Sequence, residues 1–278
     1  MRPAEVLRRA TDYLSHHDVE SPLPTAEVLL AQILGTDRAG LYARDEGLSS
    51  AEAKRFGRAL CRRCVGVPLQ HLTGEQVFRR LTLLVRPGVF IPRPETEILV
   101  EHALASIEDV SAPVVVDVGT GTGAIGLAIK TERPDARVVA IDISEDAIAL
   151  ARTNADLLAL DVEIVEGDLL DPLMPSLRGA VDLIVSNPPY VAADELETLP
   201  PDARADPVAA LVGGIDLYER LFAQAAEVLR ARGAVVVEIG DAHGEVVCEA
   251  ASAAGFVDVG LEQDLAGRDR VVGARKPG

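Results

Sequence analysis

The sequence predicts an α/β fold in which a small N-terminal helical domain is joined by a β-hairpin to a doubly wound, mostly parallel seven-stranded sheet. Three observations support this fold class. Strand-like and helix-like segments alternate from residue 113 onward. A glycine-rich loop follows the first of these strands. The first 68 residues carry only helical periodicity, so they are expected to form a separate all-helical domain.

The N-terminal region, residues 1–68, contains three predicted helices. The segments "AEVLRRATDYL" and "TAEVLLAQILG" place apolar residues on one helical face, and the second is expected to end at Gly35. Ser49 and Glu52 have the spacing of a capping box at the start of the third helix.

Residues 69–92 are predicted to form the β-hairpin linker. The segment "VFRRLTLLVRPGVFIP" is rich in β-branched, Leu and Phe residues, and we expect Pro87 and Gly88 to break it into two strands. A helix in "TEILVEHALASI" then lies near the start of the domain predicted for residues 93–278.

The alternating region predicts a parallel sheet with helices on both faces. A closing strand pair in "VDVGLEQDLAGRDRVVGAR" is expected to add an antiparallel edge strand. The five strands predicted before that pair are "VVVDVG", "RVVAIDIS", "DVEIVEGD", "VDLIVSNPP" and "GAVVVEIG".

The composition indicates a cytoplasmic globular protein. Of its 278 residues, 48% are hydrophobic, yet no apolar run reaches the roughly 18 residues of a membrane helix, and the N-terminal segment lacks the apolar core of a secretory signal. Three cysteines fit a reducing compartment. Cys61 and Cys64 form a CxxC motif without a second ligand pair, so we expect them to pack and expect no metal site.

The charge is negative overall but uneven. A net charge of −17 argues against nucleic acid as a general partner, and direct DNA binding is not expected. Residues 54–93 contain nine Lys or Arg and a single acid, Glu75, which gives this basic window a charge of +8. It is interpreted as a solvated helix face with a charge-protected hairpin edge, or else as a patch for weak contact with RNA or an acidic partner.

The glycine loop "DVGTGTGAIG" predicts a nucleotide-type cofactor site. Glycines allow a sharp turn and close approach to a ligand, and the following helix offers free N–H groups. Asp142 ends the next strand, where a carboxylate can hold ribose hydroxyls, so NAD and S-adenosylmethionine both remain open. Asp168 and Leu169, after the third strand, are placed to reach the adenine. The predicted cofactor-binding loop comprises Gly119, Thr120, Gly121, Thr122 and Gly123.

The stretch "SNPPY" ends the fourth strand of the sheet with a rigid corner. If that strand lies beside the first, Asn187 lies next to the glycine loop, where the winding of the sheet reverses. The Asn187 amide oxygen and the proline carbonyls can accept hydrogen bonds from an NH2 group, and Tyr190 can cover a planar group. Hydride transfer has no use for such acceptors, so this corner disfavours NAD.

The motifs together resemble a known family. Asn-Pro-Pro-Tyr after a Gly-x-Gly-x-Gly loop resembles amino-methyltransferases that use S-adenosylmethionine. Within these, the chain resembles the HemK/PrmC family, which methylates the glutamine of the Gly-Gly-Gln motif in peptide-chain release factors and has the Rossmann-like class I methyltransferase fold. The similarity spans nearly the whole chain, although "RADP" (204–207) departs from the family's Arg-aromatic-Glu-Pro. The matching segments are "PLQHLTGEQVF" (68–78), "FIPRPETE" (90–97), "DVGTGTGAIGLA" (117–128), "SNPPY" (186–190) and "GRDRVVGAR" (267–275).

The resemblance implies roles for the residues named above. The glycine loop, Asp142, Asp168 and Leu169 would bind S-adenosylmethionine, which leaves as S-adenosylhomocysteine. Residues 1–68 would recognise the release factor. The catalytic and substrate-binding set would be Asn187, which also contacts the cofactor, with Pro188, Pro189, Tyr190 and Phe90.

Two other functions stay open at this stage. Asn-Pro-Pro-Tyr is shared with adenine methyltransferases, so a nucleic-acid (adenine or rRNA) amino-methyltransferase is the alternative enzyme. A non-catalytic module that binds nucleotide through the glycine loop is the alternative from another class.

Overall fold

The computed structural model describes residues 1–278, which form two compact units. The first unit comprises residues 1–75 together with residues 200–205, and the second comprises residues 76–199 and 206–278. None of the helices has the length and apolar character needed to cross a lipid bilayer.

The first unit is all-helical. Gly35 ends α2 in the left-handed conformation at φ 63°, and Ser49 and Glu52 form the predicted capping box at the start of α4. Leu7, Leu14 and Leu30 belong to the core that these helices share. The helices are α1 (Pro3–Ser15), α2 (Pro22–Leu34), α3 (Arg38–Ala43), α4 (Ser50–Cys64), α5 (Leu69–Thr73) and, from the distant segment, α9 (Pro201–Arg204).

A bidentate ion pair fixes the distant segment within this unit. Arg63 donates to both carboxylate oxygens of Asp202, at 2.7 and 2.9 Å, and its side chain is 11% exposed. Cys64 packs against the helical core as predicted, whereas Cys61 is exposed and its thiol lies 3.9 Å from the hydroxyl of Tyr13. The packing prediction was therefore wrong for Cys61, because it occupies the solvent face of α4.

The hairpin turns at a different place from the one predicted. Strands β1 (Glu75–Phe78) and β2 (Leu81–Leu84) pair in a two-stranded sheet, so the turn lies at Arg79 and Arg80 and not at Pro87 and Gly88. Arg79 adopts φ 49°, and its guanidinium is held by Glu132. This distant ion pair stabilises a turn that carries neither glycine nor proline.

The second unit contains the predicted seven-stranded sheet. The strand order is β5-β4-β3-β6-β7-β9-β8, and β3 to β7 are parallel. The strands are β3 (Val114–Val118), β4 (Arg137–Asp142), β5 (Glu163–Glu166), β6 (Val181–Ser186), β7 (Leu229–Glu238), β8 (Val257–Gln263) and β9 (Asp269–Arg275). The helices are α6 (Thr96–Ser106), α7 (Ala124–Glu132), α8 (Glu145–Leu158), α10 (Val208–Leu211), α11 (Ile215–Val228) and α12 (Gly244–Ala253).

The sheet separates two apolar layers. Val115 and Leu183 face the layer that contains α6 and α7, while Val116 and Ile184 face the layer that contains α11 and α12. β3 and β6 are neighbours, which is the condition under which Asn187 was expected to lie beside the glycine loop. The winding reverses between them, so the carboxyl ends of these two strands form the crevice in which such sheets bind ligands.

The closing hairpin adds an antiparallel edge strand, as predicted. Strand β9 inserts between β7 and β8, so β8 is the edge strand. The side chains of β9 are mostly buried, whereas those of β8 are mostly exposed.

Much of the basic window is neutralised within the fold. Arg79 binds Glu132, Arg86 binds Asp146, and Arg93 binds Asp206, in addition to the Arg63 pair described above. The exposed cations of α4 that form no ion pair are Lys54, Arg55, Arg58 and Arg62, of which Arg55 donates to the Ile33 carbonyl. Four of the nine cations of the window are therefore held in ion pairs within the fold, and α4 carries a short exposed basic row.

Candidate active site

A cavity of about 400 Å³ opens at the carboxyl ends of β3, β4 and β6. This volume is that of a small-molecule site. All the site residues predicted from the sequence line it except Gly123. These lining residues are Phe90, Gly119, Thr120, Gly121, Thr122, Asp142, Asp168, Leu169, Asn187, Pro188, Pro189 and Tyr190.

The glycine loop forms one wall of the cavity. Gly119 and Gly121 have φ values of 71° and 57°, which residues other than glycine rarely adopt. A Cβ at either position would meet no atom of the protein within 4 Å, so both backbones face open space at the cavity. This clearance is what a ligand lying directly on the loop requires, and it fits the nucleoside and methionine parts of S-adenosylmethionine.

Gly123 immediately precedes α7 and is not among the residues that line the cavity. It has a φ of 87°, and a Cβ there would lie 2.8 Å from Cδ1 of Leu127. This glycine allows close packing against the first turn of its own helix, and its contact with the cofactor stays a prediction.

Asp142 is positioned by two backbone amides. Oδ2 accepts from the Gly121 nitrogen at 2.8 Å, and Oδ1 accepts from the Ser144 nitrogen at 2.9 Å. Burial raises the pKa of Asp142, although these N–H groups oppose the shift. Each oxygen has a second lone pair for an incoming hydroxyl, so the residue fits a ribose diol.

Asp168 and Leu169 lie on the other side of the cavity. The Asp168 carboxylate binds Arg220 at 2.6 Å, which leaves Leu169 as the apolar surface in this part of the site. Leu169 has φ 47°, and its side chain packs against the sheet core while still lining the cavity. An adenine ring fits against this apolar side chain.

The corner after β6 presents two free acceptors. Asn187 donates from Nδ2 to Oγ1 of Thr96 at 3.2 Å, whereas its Oδ1 accepts no hydrogen bond from the protein. The carbonyl oxygen of Pro188 accepts none either. Both residues line the cavity, so it contains unsatisfied acceptors suited to an NH2 group.

Tyr190 completes the corner as a neutral side chain. Burial, followed by the negative charge of Glu238, raises the pKa of Tyr190 to about 12. The phenol therefore keeps its proton near neutral pH and does not act as a base.

Phe90 lines the cavity, and residues next to it in the sequence fix its position. The guanidinium carbon of Arg93 lies 5.3 Å from the centre of the Phe90 ring, which is a cation–π distance. Arg93 in turn binds Asp206, and the amide of Ile91 donates to the same carboxylate at 3.1 Å. Asp206, the acid of the "RADP" segment, thus supplies the carboxylate that fixes the Phe90 segment.

Sequence reasoning missed a second segment at the site. Residues 207–212 contribute Pro207, Ala209, Ala210, Leu211 and Val212 to the cavity lining. The Val191 nitrogen donates to the Leu211 carbonyl at 2.9 Å, which joins this segment to the corner. The next residue, Gly213, packs directly against the backbone of Pro189. A Cβ at position 213 would lie 2.0 Å from the Pro189 oxygen. The only sequence signal was the Gly213-Gly214 pair.

Comparison with known proteins agrees with this geometry. Residues 5–74 match the family described as PrmC N-terminal domain, and residues 80–199 match the methyltransferase small domain. Among solved structures, the ribosomal protein L11 methylase of Lactobacillus delbrueckii is 22% identical with a TM-score of 0.51, covering 72% of this chain and 96% of that one. The T. thermophilus 16S rRNA methyltransferase in complex with AdoMet and guanosine is 21% identical with a TM-score of 0.55. The match covers 73% of this chain and 49% of that one. At these identities the two structures show the fold alone, that of class I methyltransferases.

Curated relatives match this chain along its whole length. The release factor glutamine methyltransferase of Deinococcus radiodurans is 40% identical over 100% of both chains. That of Mycolicibacterium smegmatis is 43% identical over 97% of this chain and 96% of its own. Such identity from end to end shows that the chain belongs to the family of release factor glutamine methyltransferases.

Proposed function

We propose that this protein transfers a methyl group from S-adenosylmethionine to the side-chain amide nitrogen of the Gly-Gly-Gln glutamine in peptide-chain release factors. The observation that carries the proposal is the pair of unsatisfied acceptors in the cavity, Asn187 Oδ1 and the Pro188 carbonyl. A primary amide has two N–H donors, and this pair can accept both.

The cofactor would lie on the glycine loop. Gly119 and Gly121 leave room for it, Asp142 would accept from its ribose hydroxyls, and Leu169 would contact its adenine. When bound, S-adenosylmethionine supplies an electrophilic sulfonium methyl group and leaves as S-adenosylhomocysteine. Asn187, which lines the same cavity, would lie beside both the cofactor and the glutamine.

The residues of the corner would activate the amide nitrogen. An amide nitrogen is a poor nucleophile because its lone pair is delocalised into the carbonyl group. Hydrogen bonds to Asn187 Oδ1 and the Pro188 carbonyl would strengthen as the nitrogen becomes positive, and such differential stabilisation lowers the barrier. Tyr190 and Phe90 would enclose the planar amide and exclude water, and the fixed geometry would favour in-line attack.

We also infer where the enzyme works and what it contacts. The N-terminal helices, residues 1–68, would recognise the release factor, because the cavity can admit little more than one side chain. Lys54, Arg58 and Arg62 would add at most weak contact with RNA or an acidic partner, and the net charge of −17 argues against DNA. Three free thiols fit a cytoplasmic location.

Transfer of labelled methyl groups to a purified release factor tests this function. Label is expected on the wild-type factor and not on a factor whose Gly-Gly-Gln glutamine is replaced by alanine. Persistent labelling of that variant would refute the assigned target. Labelling of rRNA or DNA, with none on the factor, would favour the alternative amino-methyltransferase, and failure to bind S-adenosylmethionine would favour a non-catalytic module.

A further inference from the structure

The side chain of Tyr190 separates two cavities. On one side it lines the cavity of about 400 Å³ that contains the corner after β6. On the other side it lines a second cavity, of about 20 Å³, together with His243 at the start of α12. His243 does not line the larger cavity, so it lies behind Tyr190 as seen from the site.

Gly240 is the point at which the packing behind Tyr190 is tightest. A Cβ at position 240 would lie 2.7 Å from Nδ1 of His243 and 3.2 Å from Cδ2 of Tyr190. The two rings therefore fill the space that a side chain at this position would take. Gly240 is not among the glycines with a positive φ, so glycine is required here for this close approach and not for its backbone conformation.

Backbone hydrogen bonds hold Gly240 and His243 in place. The Ile239 nitrogen donates to the Arg270 carbonyl at 2.9 Å, which joins the chain before Gly240 to β9. The His243 nitrogen donates to the Gly240 carbonyl at 2.9 Å, and the His243 carbonyl accepts from the Val247 nitrogen at 3.1 Å. The His243 ring is thus anchored through its backbone between the end of a strand and the first turn of α12.

The His243 ring carries a buried polar atom without a partner. Its Nδ1 is buried and makes no hydrogen bond. Such an atom costs stability, so its presence behind a site residue needs an explanation. The position of the ring beside Gly240 and Tyr190 supplies one, because a planar ring there is a rigid packing surface.

The backbone on both sides of Tyr190 is already fixed. Pro188 and Pro189 restrict φ at the two residues before it. The Val191 nitrogen donates to the Leu211 carbonyl at 2.9 Å, which fixes the residue after it. The freedom that remains is rotation of the Tyr190 side chain about its own torsions. A packed surface behind the ring removes this freedom.

We propose that Gly240 and His243 are positioning residues for methyl transfer, which hold the Tyr190 ring against the glutamine amide at the corner. This inference rests on the proposed function, because it deepens the role of the same corner. Gly240 leaves the space into which the Tyr190 ring fits, and His243 closes the far side of that space. A ring that turned or shifted would leave the amide less well oriented for in-line attack.

Gly240→Ala tests the close approach. Its methyl group must displace one of the two rings, so we expect kcat to fall about tenfold or more. The Kd for S-adenosylmethionine should stay within about twofold, because Gly240 does not line the cavity. Gly273→Ala is the matched control, since Gly273 lies on β9 beside β7 and a Cβ there meets nothing within 4 Å. Wild-type kcat in Gly240→Ala would overturn the proposal.

A double variant separates positioning of the ring from a general loss of structure. If Gly240→Ala acts by displacing the Tyr190 ring, it should cost little further kcat in a Tyr190→Ala enzyme, because the ring is absent there. Fully additive losses would overturn the proposal.

His243 gives a second test, which does not require Gly240→Ala to fold. His243→Ala removes the packing surface and should lower kcat several-fold. His243→Phe keeps a planar ring without Nδ1 and should recover most of the activity, because the proposed role is packing. Equal kcat values for these two variants would overturn the role of the ring.

Fluorine NMR of the enzyme labelled with fluorotyrosine and recorded without substrate gives a readout independent of transfer. The chain has four tyrosines, so the Tyr190 resonance can be assigned from the spectrum of Tyr190→Phe. It should shift in Gly240→Ala and keep its position in Gly273→Ala; an unshifted resonance in Gly240→Ala would also overturn the proposal. If wild-type enzyme left the release factor unmethylated, the proposed function would fail, and this resonance would still decide whether Gly240 positions the ring.

Discussion

The carboxylate of Asp206 accepts a hydrogen bond from the backbone nitrogen of Ile91 at 3.1 Å, across 115 positions of sequence. The same carboxylate binds Arg93, and its side chain is fully buried. Phe90 lies next to Ile91 and lines the cavity. The site wall formed by Phe90 is therefore fixed by a residue from the loop that follows the catalytic corner.

Replacing Asp206 should loosen the Phe90 segment that forms this wall of the cavity. Asp206→Ala leaves the Ile91 amide and the partly buried Arg93 without their partner, so we expect a loss of about 1–3 kcal/mol in the free energy of unfolding, together with reduced kcat. Urea denaturation measures the first effect and methyl transfer the second. Asp206→Asn keeps an acceptor for Ile91 and should lose less stability. Equal stability of Asp206→Ala and wild type would contradict the structural role.

Gly213 is predicted to be indispensable for steric reasons. A Cβ at this position would lie 2.0 Å from the oxygen and 2.6 Å from the carbonyl carbon of Pro189, so Gly213→Ala must displace the corner. Misplacement of reacting groups by about 1 Å can cost on the order of a hundredfold in rate, and we expect a kcat loss approaching that size. Gly260→Ala is the control, because a Cβ there meets nothing within 4 Å. Similar kcat values for the two variants would count against the observed contact.

The ion pair of Arg63 and Asp202 should protect the segment around Arg204 from proteolysis. Arg63→Ala removes both hydrogen bonds that hold this segment within the N-terminal unit, so trypsin is expected to cleave after Arg204 several-fold faster. Arg62→Ala is a close control, since Arg62 is exposed and makes no ion pair. The cleavage rates can be compared by mass spectrometry of timed digests, and equal rates for Arg63→Ala and Arg62→Ala would contradict the anchoring role.

Asp117 should make stability depend on pH in mild acid. Burial raises the pKa of this carboxyl group from 3.8 to about 6, although Thr120 and Gly126 donate to its Oδ2. Because the folded protein binds this proton more tightly, the stabilising contribution is fully present below pH 3.8 and is lost as the pH rises through 6. The unfolding free energy of Asp117→Asn relative to wild type should therefore increase between these values and then level off. A difference that does not vary with pH would show that folding leaves the pKa of this carboxyl group unchanged.

The features that depend on local sequence were the ones the sequence could predict. Alternating strands and helices gave the sheet, and the capping box at Ser49 and the helix end at Gly35 formed as expected. The neighbouring positions of β3 and β6 brought Asn187 to the glycine loop. These outcomes follow from apolar periodicity and from the conformations that individual residues allow.

The features that were missed depend on pairs far apart in the chain. The turn at Arg79 is held by Glu132, and the rotation of Asn187 is linked to Thr96, 91 positions away. The sequence predicts a basic patch at residues 54–93 because the acidic partners of several of its cations lie far away in the sequence. Arg93 and Asp206 are one such pair. The glycine motif alone does not distinguish a residue that lines the cavity from one, such as Gly123, that packs against its own helix.

The most direct measurement of the central claim is methyl transfer by Asn187→Ala with cofactor binding measured in parallel. If Asn187 Oδ1 activates the glutamine amide, kcat should fall by about two orders of magnitude or more, as when an electrostatic donor or acceptor is removed from a catalytic site. The Kd for S-adenosylmethionine should change far less, because the glycine loop and Asp142 are intact. Wild-type kcat in this variant, or a loss explained wholly by cofactor affinity, would contradict the account.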